Sequence, residues 1–566
     1  MKTPNPAIVT QTAAQRLPLW ALVSICLVYV LTGLVNRDPW KSLDVSSFGY
    51  MWEIARGYSA AWYPEMAGSS PELSGPLAYV LGAGAISILS PWISPDTAAR
   101  VPFITSLFIT LIATWWAIYF LAKNPRAQPV TFAFGGEAKP EDYAKAIADA
   151  GLLALIACLG MALPSHETTP LPLQLCSTAL LFCAAAMVRT HVLVAVLLID
   201  LSLVLLSLSG APFLALLLGS GIIFLVVKQK QARLEHTAIL VLGWLSAIAL
   251  ASWADLWQWK LLTLSEASVQ WKGLLRLLLW FTWPAWPLAA WTLWTWRNHW
   301  RESVWQQHLV LPVFIWFVIM TASVTSKNPE RTLLLALPSL ACLAAFALPT
   351  LKRSVSALID WFTLLFFTGG AFIIWVVWLS LQTGWPAQPA INVSRLAPGY
   401  VSEFEWIHTG IAVLITGIWF KLMMWRLGRN PRFIWKSLIL PATGALMCWV
   451  LLMTLWMPLL NFARSYKPLT LQVKALVKEA PCVFSLNLTR SQIAGLSFHG
   501  NLKIVDFESS KDPTSCKWLI ANPATLQLNT KTLDESSWMK IKVIRRPADK
   551  REDVVLYQRI AFKNNE

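Results

Sequence analysis

The chain has 566 residues, 56% of them hydrophobic and only 13% charged, and its mean hydropathy is +0.53. Apolar runs of about 17 to 25 residues recur along it, the length that crosses a hydrocarbon core of about 30 Å, so the composition excludes a soluble globular enzyme and points to a polytopic α-helical membrane protein. The formal net charge of +16 does not mark a nucleic-acid binder, because the basic residues are scattered over short loops between spans, where the positive-inside rule puts them.

Residues 1–17 form a polar, weakly basic cytoplasmic tail. The run from Leu17 to Val35 has full spanning length and lacks a small-residue cleavage site, which predicts an uncleaved first helix. The next stretch, RDPWKSLDVSSFGYMWEIARG (37–57), places Asp38, Lys41 and Asp44 beside Trp40, Phe48, Tyr50 and Trp52. From Asp44 onward it can wind as an amphipathic helix with Phe48 and Trp52 on one face. Asp44 is then either the cap of that helix, with Ser46 and Ser47 in its first turn, or a working carboxylate, since an acid beside a membrane is expensive to desolvate. Asp38 before Pro39 reads as a turn residue.

Basic loops at 123–145, 189–191, 228–233, 297–301, 352–353 and 426–436 are expected on the cytoplasmic side. Residues 37–100, the HETTP turn at 166–170, 255–276, 327–331, 381–406 and everything after Arg464 are then external. A cytoplasmic N-terminus and an external C-terminal domain need an odd number of crossings, yet about fourteen apolar runs are present, so one does not span and about 13 do. The first choice is Pro76 to Trp92, Gly- and Pro-interrupted and suited to the interface; a re-entrant run around Leu208 to Pro212 is the alternative. The many tryptophans, 33 in all, lie mostly near run ends, as interfacial belts require.

The membrane-embedded part therefore covers 18–465, with 37–100 as its first external loop. Residues 466–566 read as a small soluble α/β domain, with helix-like PLTLQVKALVKEA and RSQIAGLSFHG among strand-like VFSLNL, LKIVDF, KWLIA, KIKVIRR and VVLYQR. Six cysteines lie in apolar runs and read as small buried hydrophobes. Cys482 and Cys516 fall in the terminal domain, where an oxidising compartment would let them pair. No repeat, zinc-type cluster, Walker loop or dinucleotide fingerprint occurs, so no metal or cofactor is expected. Asp200, in LLIDLSLVLL, is the exception to the rule that charges stand at run ends.

From Gly33 to Arg100 the chain resembles the first external loop of the bacterial lipid A aminoarabinose transferases and their relatives in the glycosyltransferase C (GT-C) superfamily, which includes protein O-mannosyltransferases. In that family a DPWKPDEAY-like stretch leads through a helix to an acidic-Lys-Pro-Pro motif, another apolar helix and an Ala-Arg at the next span. Here these are DPWKSLDVSSFGYMWEIARG, SPELSGPLAYVLGAGAI and DTAARVPF. The similarity continues through WFTWPAWPLAAWTLW, ERTLLLALPSLACLAA, DWF and LLMTLWMPLLNFARSY into the terminal domain.

The resemblance implies a GT-C enzyme of the bacterial inner membrane, its C-terminal domain in the periplasm. Such an enzyme moves a sugar from a polyprenyl-phosphate donor to lipid A or another glycolipid or protein acceptor, with membrane lipid as its surroundings. It assigns Asp44 as the catalytic carboxylate and Glu167 as a second acidic residue. Asp38, Lys41, Glu72, Arg100, His166, Lys272, Lys327 and Arg331 are assigned to substrate. An inverting transfer wants a base for the acceptor hydroxyl and cations for the departing phosphate. The chain also departs from the pattern: Asp44 precedes Val45 instead of Glu, Glu72 is followed by Leu73-Ser74-Gly75-Pro76 without the family's lysine, and Pro170 stands where an acid is usual. Lys41 or Lys272 substitutes, or the donor head group differs, or catalysis is weak. The competing readings are a degenerate, carrier-binding relative and a transporter, the latter expected to show inverted repeats and ionisable groups in mid-span.

Overall fold

The structure, a computed structural model, describes residues 5–229, 233–257, 273, 275–301, 306–326, 329–428, 433–477, 480, 482–509, 515–523 and 537–560. Lys272 and Lys327 lie outside these described residues. The chain forms two compact units: Met1–Leu34, Phe103–Ile373 and Ile407–Thr454 make the first, and Val35–Pro102, Ile374–Trp406 and Leu455–Glu566 the second.

The first unit is helical. Proline has its φ preset for a helix and lacks an N–H that a first turn cannot use, and Pro140, Pro170 and Pro212 each open a helix: Pro140–Ala157, Pro170–Met187 and Pro212–Lys228. Among the described residues of the whole chain, seven helices are long and apolar enough to cross a membrane, and five shorter apolar ones accompany them. Their environments differ sharply. Pro170–Met187 is 94% buried over its apolar window, whereas Trp406–Leu427 is 11% buried, so the former is a central helix and the latter offers Trp406, Ile407, Val413 and Leu414 to lipid while Trp419 packs inward. Hydroxyls inside the helices turn back on the preceding turn, as with Thr114 and Ser177 donating to the carbonyls of Thr110 and Leu173 at 2.8 Å, which satisfies them without a solvent partner. The 208–212 stretch is a turn between Val192–Leu208 and Pro212–Lys228, with Gly210 at φ +90°.

In the second unit the helix Leu43–Ala55 packs against Pro76–Leu89 and Arg490–Gly500. Glycine permits both approaches: a Cβ on Gly49 would stand 2.4 Å from the Ala494 Cβ, and one on Gly82 would stand 2.2 Å from the Met51 sulfur. Pro76–Leu89 has 14 residues, about 21 Å of helix.

The C-terminal segment supplies a five-stranded sheet of β1 (Val483–Leu486), β2 (Ile504–Asp506), β3 (Trp518–Ala521), β4 (Trp538–Ile544) and β5 (Val554–Arg559). Its order is β2-β1-β3-β5-β4, with β1 parallel to β2 and β3, and β5 antiparallel to β3 and β4. Every segment read as strand-like contributes a strand. Leu469, Val473, Leu496, Ile520 and Leu556 fill one buried face, and Phe484, Leu519 and Trp538 the other. Lys540 and Lys542 guard the exposed edge strand β4. Arg490–Gly500 starts with a capping box, Thr489 and Gln492 bonding each other's backbone N–H groups.

Cys482 and Cys516 form a disulfide with Cα atoms 5.3 Å apart. Linking residues 34 positions apart stabilises by about 2–4 kcal/mol on a loop-closure argument. In the full-length protein the Cys482→Ser/Cys516→Ser pair is therefore expected to open the sheet-bearing segment to limited proteolysis at a markedly lower protease concentration; an unchanged cleavage profile would refute that contribution.

Candidate active site

The loop that enters Leu43–Ala55 is held by polar contacts rather than by a cap. Ser42 occupies the cap position without a side-chain bond, and Asp44, in the first turn, points backward. Its Oδ2 accepts the Trp40 backbone N–H at 3.2 Å and lies 3.5 Å from Arg37 NH2. Both side chains of the pair are almost wholly buried, at 0% and 4% exposure, and the Arg37 guanidinium also stacks 5.2 Å from the Trp40 ring centre. Asn461 clips the same loop, its Oδ1 accepting from Asp38 N at 3.1 Å and Trp40 Nε1 at 2.9 Å while its Nδ2 donates to Asn36 O at 2.7 Å. Asp44 is thus a buried, ion-paired carboxylate two residues past the cap position.

Lys41 points elsewhere. Its Nζ lies 2.6 Å from Asp549 and 2.8 Å from Glu552, and Glu552 also accepts the Tyr466 hydroxyl at 2.9 Å. Hydrogen bonding from Lys41 holds the Asp549 carboxyl below its ordinary pKa. This cation tethers the loop to the C-terminal segment.

Beside the loop, wholly within the second unit, a cavity of about 640 Å³ is bordered by Asp38, Asp96, Tyr400, Asn461 and Lys467. Asp96 pairs with the buried Arg100 at 3.2 Å, one helical turn apart. Close to these groups, His499 Nε2 lies 3.3 Å from Ser465 Oγ, which accepts the Lys467 backbone N–H at 3.0 Å. Sequence reasoning did not single out Asp96, Asn461 or His499: Asp96 and Asn461 lie inside the quoted DTAARVPF and LLMTLWMPLLNFARSY stretches, but only the fold brings them to one cavity from segments hundreds of residues apart.

Glu72 is exposed. Its loop is pinned by Tyr50 donating to Ser69 O at 3.1 Å and Tyr79 to Leu73 O at 2.7 Å. Gly75 sits at φ +149°, outside ordinary L-residue space. Arg490 donates to Ser70 O at 2.9 Å and interacts with Tyr50 and Tyr79, so a cation from Arg490–Gly500 stands beside the segment that lacks the expected lysine.

In the first unit, Arg331 NH1 lies 3.4 Å from Glu167 Oε2, both side chains mostly buried. His166 is occupied with backbone: Nε2 lies 3.0 Å from Tyr29 O and Nδ1 2.6 Å from Ala162 O, and its ring meets Trp449 at 5.1 Å. It fixes the turn in which Glu167 stands. Among the described residues no three His, Cys, Asp or Glu side chains converge as metal ligands would.

No family model matches the chain, nor does any curated protein. Among solved structures it is similar to ArnT from Cupriavidus metallidurans bound to undecaprenyl phosphate, with a TM-score of 0.60 and 13% identity over 96% of this chain and 98% of that one. The apo state of the same protein gives 0.59 at 13% identity, over 95% and 97%. The chain shares the fold of that ArnT structure. The arabinosyltransferase EmbB from Mycobacterium smegmatis matches more loosely, with a TM-score of 0.42 and 15% identity over 79% of this chain and 41% of that one. The near end-to-end match agrees with the observed ensemble of apolar helices and a small C-terminal sheet.

Burial holds the His499 imidazole below its ordinary pKa; Asp38 acts against that shift, Lys467 with it and Asp96 against it. A histidine whose folded pKa is lowered stabilises the fold fully above its unfolded pKa of about 6.5 and loses that contribution as pH falls toward the folded value. Thermal midpoints of the purified protein should fall between pH 7.5 and 5, and His499→Asn should flatten that fall; an equal acid loss in the variant would exclude His499 as the cause.

Proposed function

We propose that this protein is a membrane glycosyltransferase that takes a sugar from a polyprenyl-phosphate donor and passes it to an envelope acceptor, such as lipid A, on the outer side of the bacterial inner membrane. The observation that carries the reading is Asp44: a carboxylate buried at the start of a helix, kept charge-balanced by Arg37 and oriented by the Trp40 amide. The GT-C fold supports it, and the similar ArnT structure is one bound to undecaprenyl phosphate.

In this reading Asp44 takes the proton of an acceptor hydroxyl as the oxygen attacks the anomeric carbon and the sugar–phosphate bond breaks. Asp38, Asp96, Asn461 and Lys467 give the neighbouring cavity the polar groups that a sugar-bearing acceptor needs. For the departing phosphate, Arg490 is the cation beside the altered acidic-Lys-Pro-Pro segment, while Lys41 is committed to Asp549 and Glu552. Glu167 and Arg331, which pair with each other in the first unit, are assigned by the resemblance alone as a second acid and a phosphate contact.

That commitment of Lys41, with Leu73, Ser74 and Gly75 in place of the family lysine, favours a second reading in which the chain binds the carrier without turnover. Membranes supplied with radiolabelled polyprenyl-phosphate sugar separate the two, since a degenerate relative retains the carrier and transfers nothing.

Asp44→Asn keeps the side-chain size and removes the charge. Transfer should drop by about 100-fold or more, the scale of lost acid and base catalysis, with Asp38→Asn causing a smaller loss. Because an uncompensated buried Arg37 destabilises by about 3–5 kcal/mol, the thermal midpoint is measured alongside, and Asp44→Asn/Arg37→Gln provides a charge-balanced version. Full turnover in a folded Asp44→Asn protein, with Asp38→Asn inactive, would move the catalytic role to the cavity-lining aspartate.

A further inference from the structure

A second polar cavity, of about 460 Å³, lies within the first unit and shares no residue with the site described above. Its walls come from the N-terminal segment around Ile8, the start of Arg353–Thr383, the end of Trp406–Leu427 and the start of Lys436–Leu455. The N-terminal wall is fixed by backbone bonds, Val130 N to Ala7 O at 3.0 Å, Ala138 N to Val9 O at 3.1 Å and Ile434 N to Ala13 O at 3.1 Å. Three cations, Arg353, Arg426 and Lys436, line the cavity against one carboxylate, Asp360.

Arg426 grips Asp360 with two nitrogens, Nε to Oδ1 at 3.2 Å and NH2 to Oδ2. The charge left over is positive. Lys436 is nearly buried, its Nζ 5.4 Å from the Trp425 ring centre, and the Ser356 and Ser437 hydroxyls bond each other at 2.8 Å in the same wall. Arg353 is exposed at the rim, Arg426 is half-buried against Asp360 and Lys436 is buried, so the cavity carries an excess of positive charge that an anion would lower.

We propose that this cavity seats the phosphate head group of an anionic phospholipid from the leaflet beside the basic loops. A phosphate matches the guanidinium, ammonium and hydroxyl donors, and a basic pocket between spans on the basic-loop side is where such head groups bind. The adjoining surface favours a lipid over a soluble phosphate. Leu358, Trp361 and Leu365 share one face of the same helix, about a third of a turn round from the cavity-lining Arg353, and at 68%, 59% and 67% exposed give acyl chains an apolar track that inorganic phosphate leaves unused.

The test is native mass spectrometry of the full-length, detergent-purified protein titrated with phosphatidylglycerol or phosphatidylcholine. The wild type should retain the anionic lipid preferentially. Arg353→Gln/Lys436→Gln should weaken retention by about fivefold per charge removed. Ser437→Asp, which puts an anion in the wall and leaves the Arg426–Asp360 clamp in place, should abolish the preference and decides the matter if the double variant fails to fold. Equal retention of both lipids by the wild type, or an unchanged preference in Ser437→Asp, would overturn the proposal. So would inorganic phosphate that competes as well as phosphatidylglycerol, since it would assign the cavity to a soluble anion.

Discussion

A charge withdrawn from water must be met by an opposite charge or by several hydrogen bonds, and this constraint organises the polar part of the structure. Arg37 faces Asp44, Arg331 faces Glu167, and Arg426 faces Asp360. Asp149, fully buried, accepts from Leu17 N at 3.0 Å and Trp115 Nε1 at 2.8 Å, with Arg16 at 3.7 Å. Each pair ties together segments that the apolar packing alone would leave free to slide, because leucine against leucine is nearly indifferent to register while a buried carboxylate tolerates only the position where its partner stands. Specificity of this kind is costly in stability, and it is placed where position matters.

The same constraint explains why the 37–57 loop holds its shape. Its aromatic side chains pack edge-on, Phe48 and Trp52 against Phe498 with ring centres 4.7 and 5.4 Å apart, and Gly49 lets Leu43–Ala55 approach Ala494 closely. Those contacts fix the helix. The carboxylate itself is set by Arg37, Trp40 and Asn461, so geometry at Asp44 comes from the turn over residues 37–44 and from an asparagine more than four hundred residues away.

Legibility in the sequence followed the range of the interaction. The terminal strands and the helix Arg490–Gly500 could be read because their periodicity and capping chemistry are local. The membrane class was legible from run length, and the Phe48/Trp52 face from its spacing of four. Asp44 stood out as a carboxylate, but its arginine did not, because Arg37 and Asp44 are joined through a proline turn with no helical spacing. Lys41 was read as a substrate cation, although its partners Asp549 and Glu552 lie in a segment that local pattern cannot connect to it. Glu167 and Arg331 were each visible as charges in segments expected to be external, and their pairing was not. The grouping of Val35–Pro102 and Ile374–Trp406 with the C-terminal segment was equally out of reach, since it depends on packing between runs far apart in the chain.

The altered acidic-Lys-Pro-Pro segment shows how a motif can lose a residue and keep its frame. Two prolines restrict a backbone by fixing φ; a single Pro76 after Gly75, at φ +149°, reaches the same helix start through a conformation that only glycine adopts easily. Tyr50 and Tyr79, bonded to Ser69 and Leu73, supply the rigidity that the missing ring would have given. The positive charge is then free to come from another element, and Arg490, anchored on Ser70 from the first turn of a capped helix, has a guanidinium whose planar fork suits a phosphate better than the point charge of a lysine. Position and charge, joined in the Lys-Pro-Pro pattern that this segment resembles, stand here on a glycine turn and on the C-terminal segment.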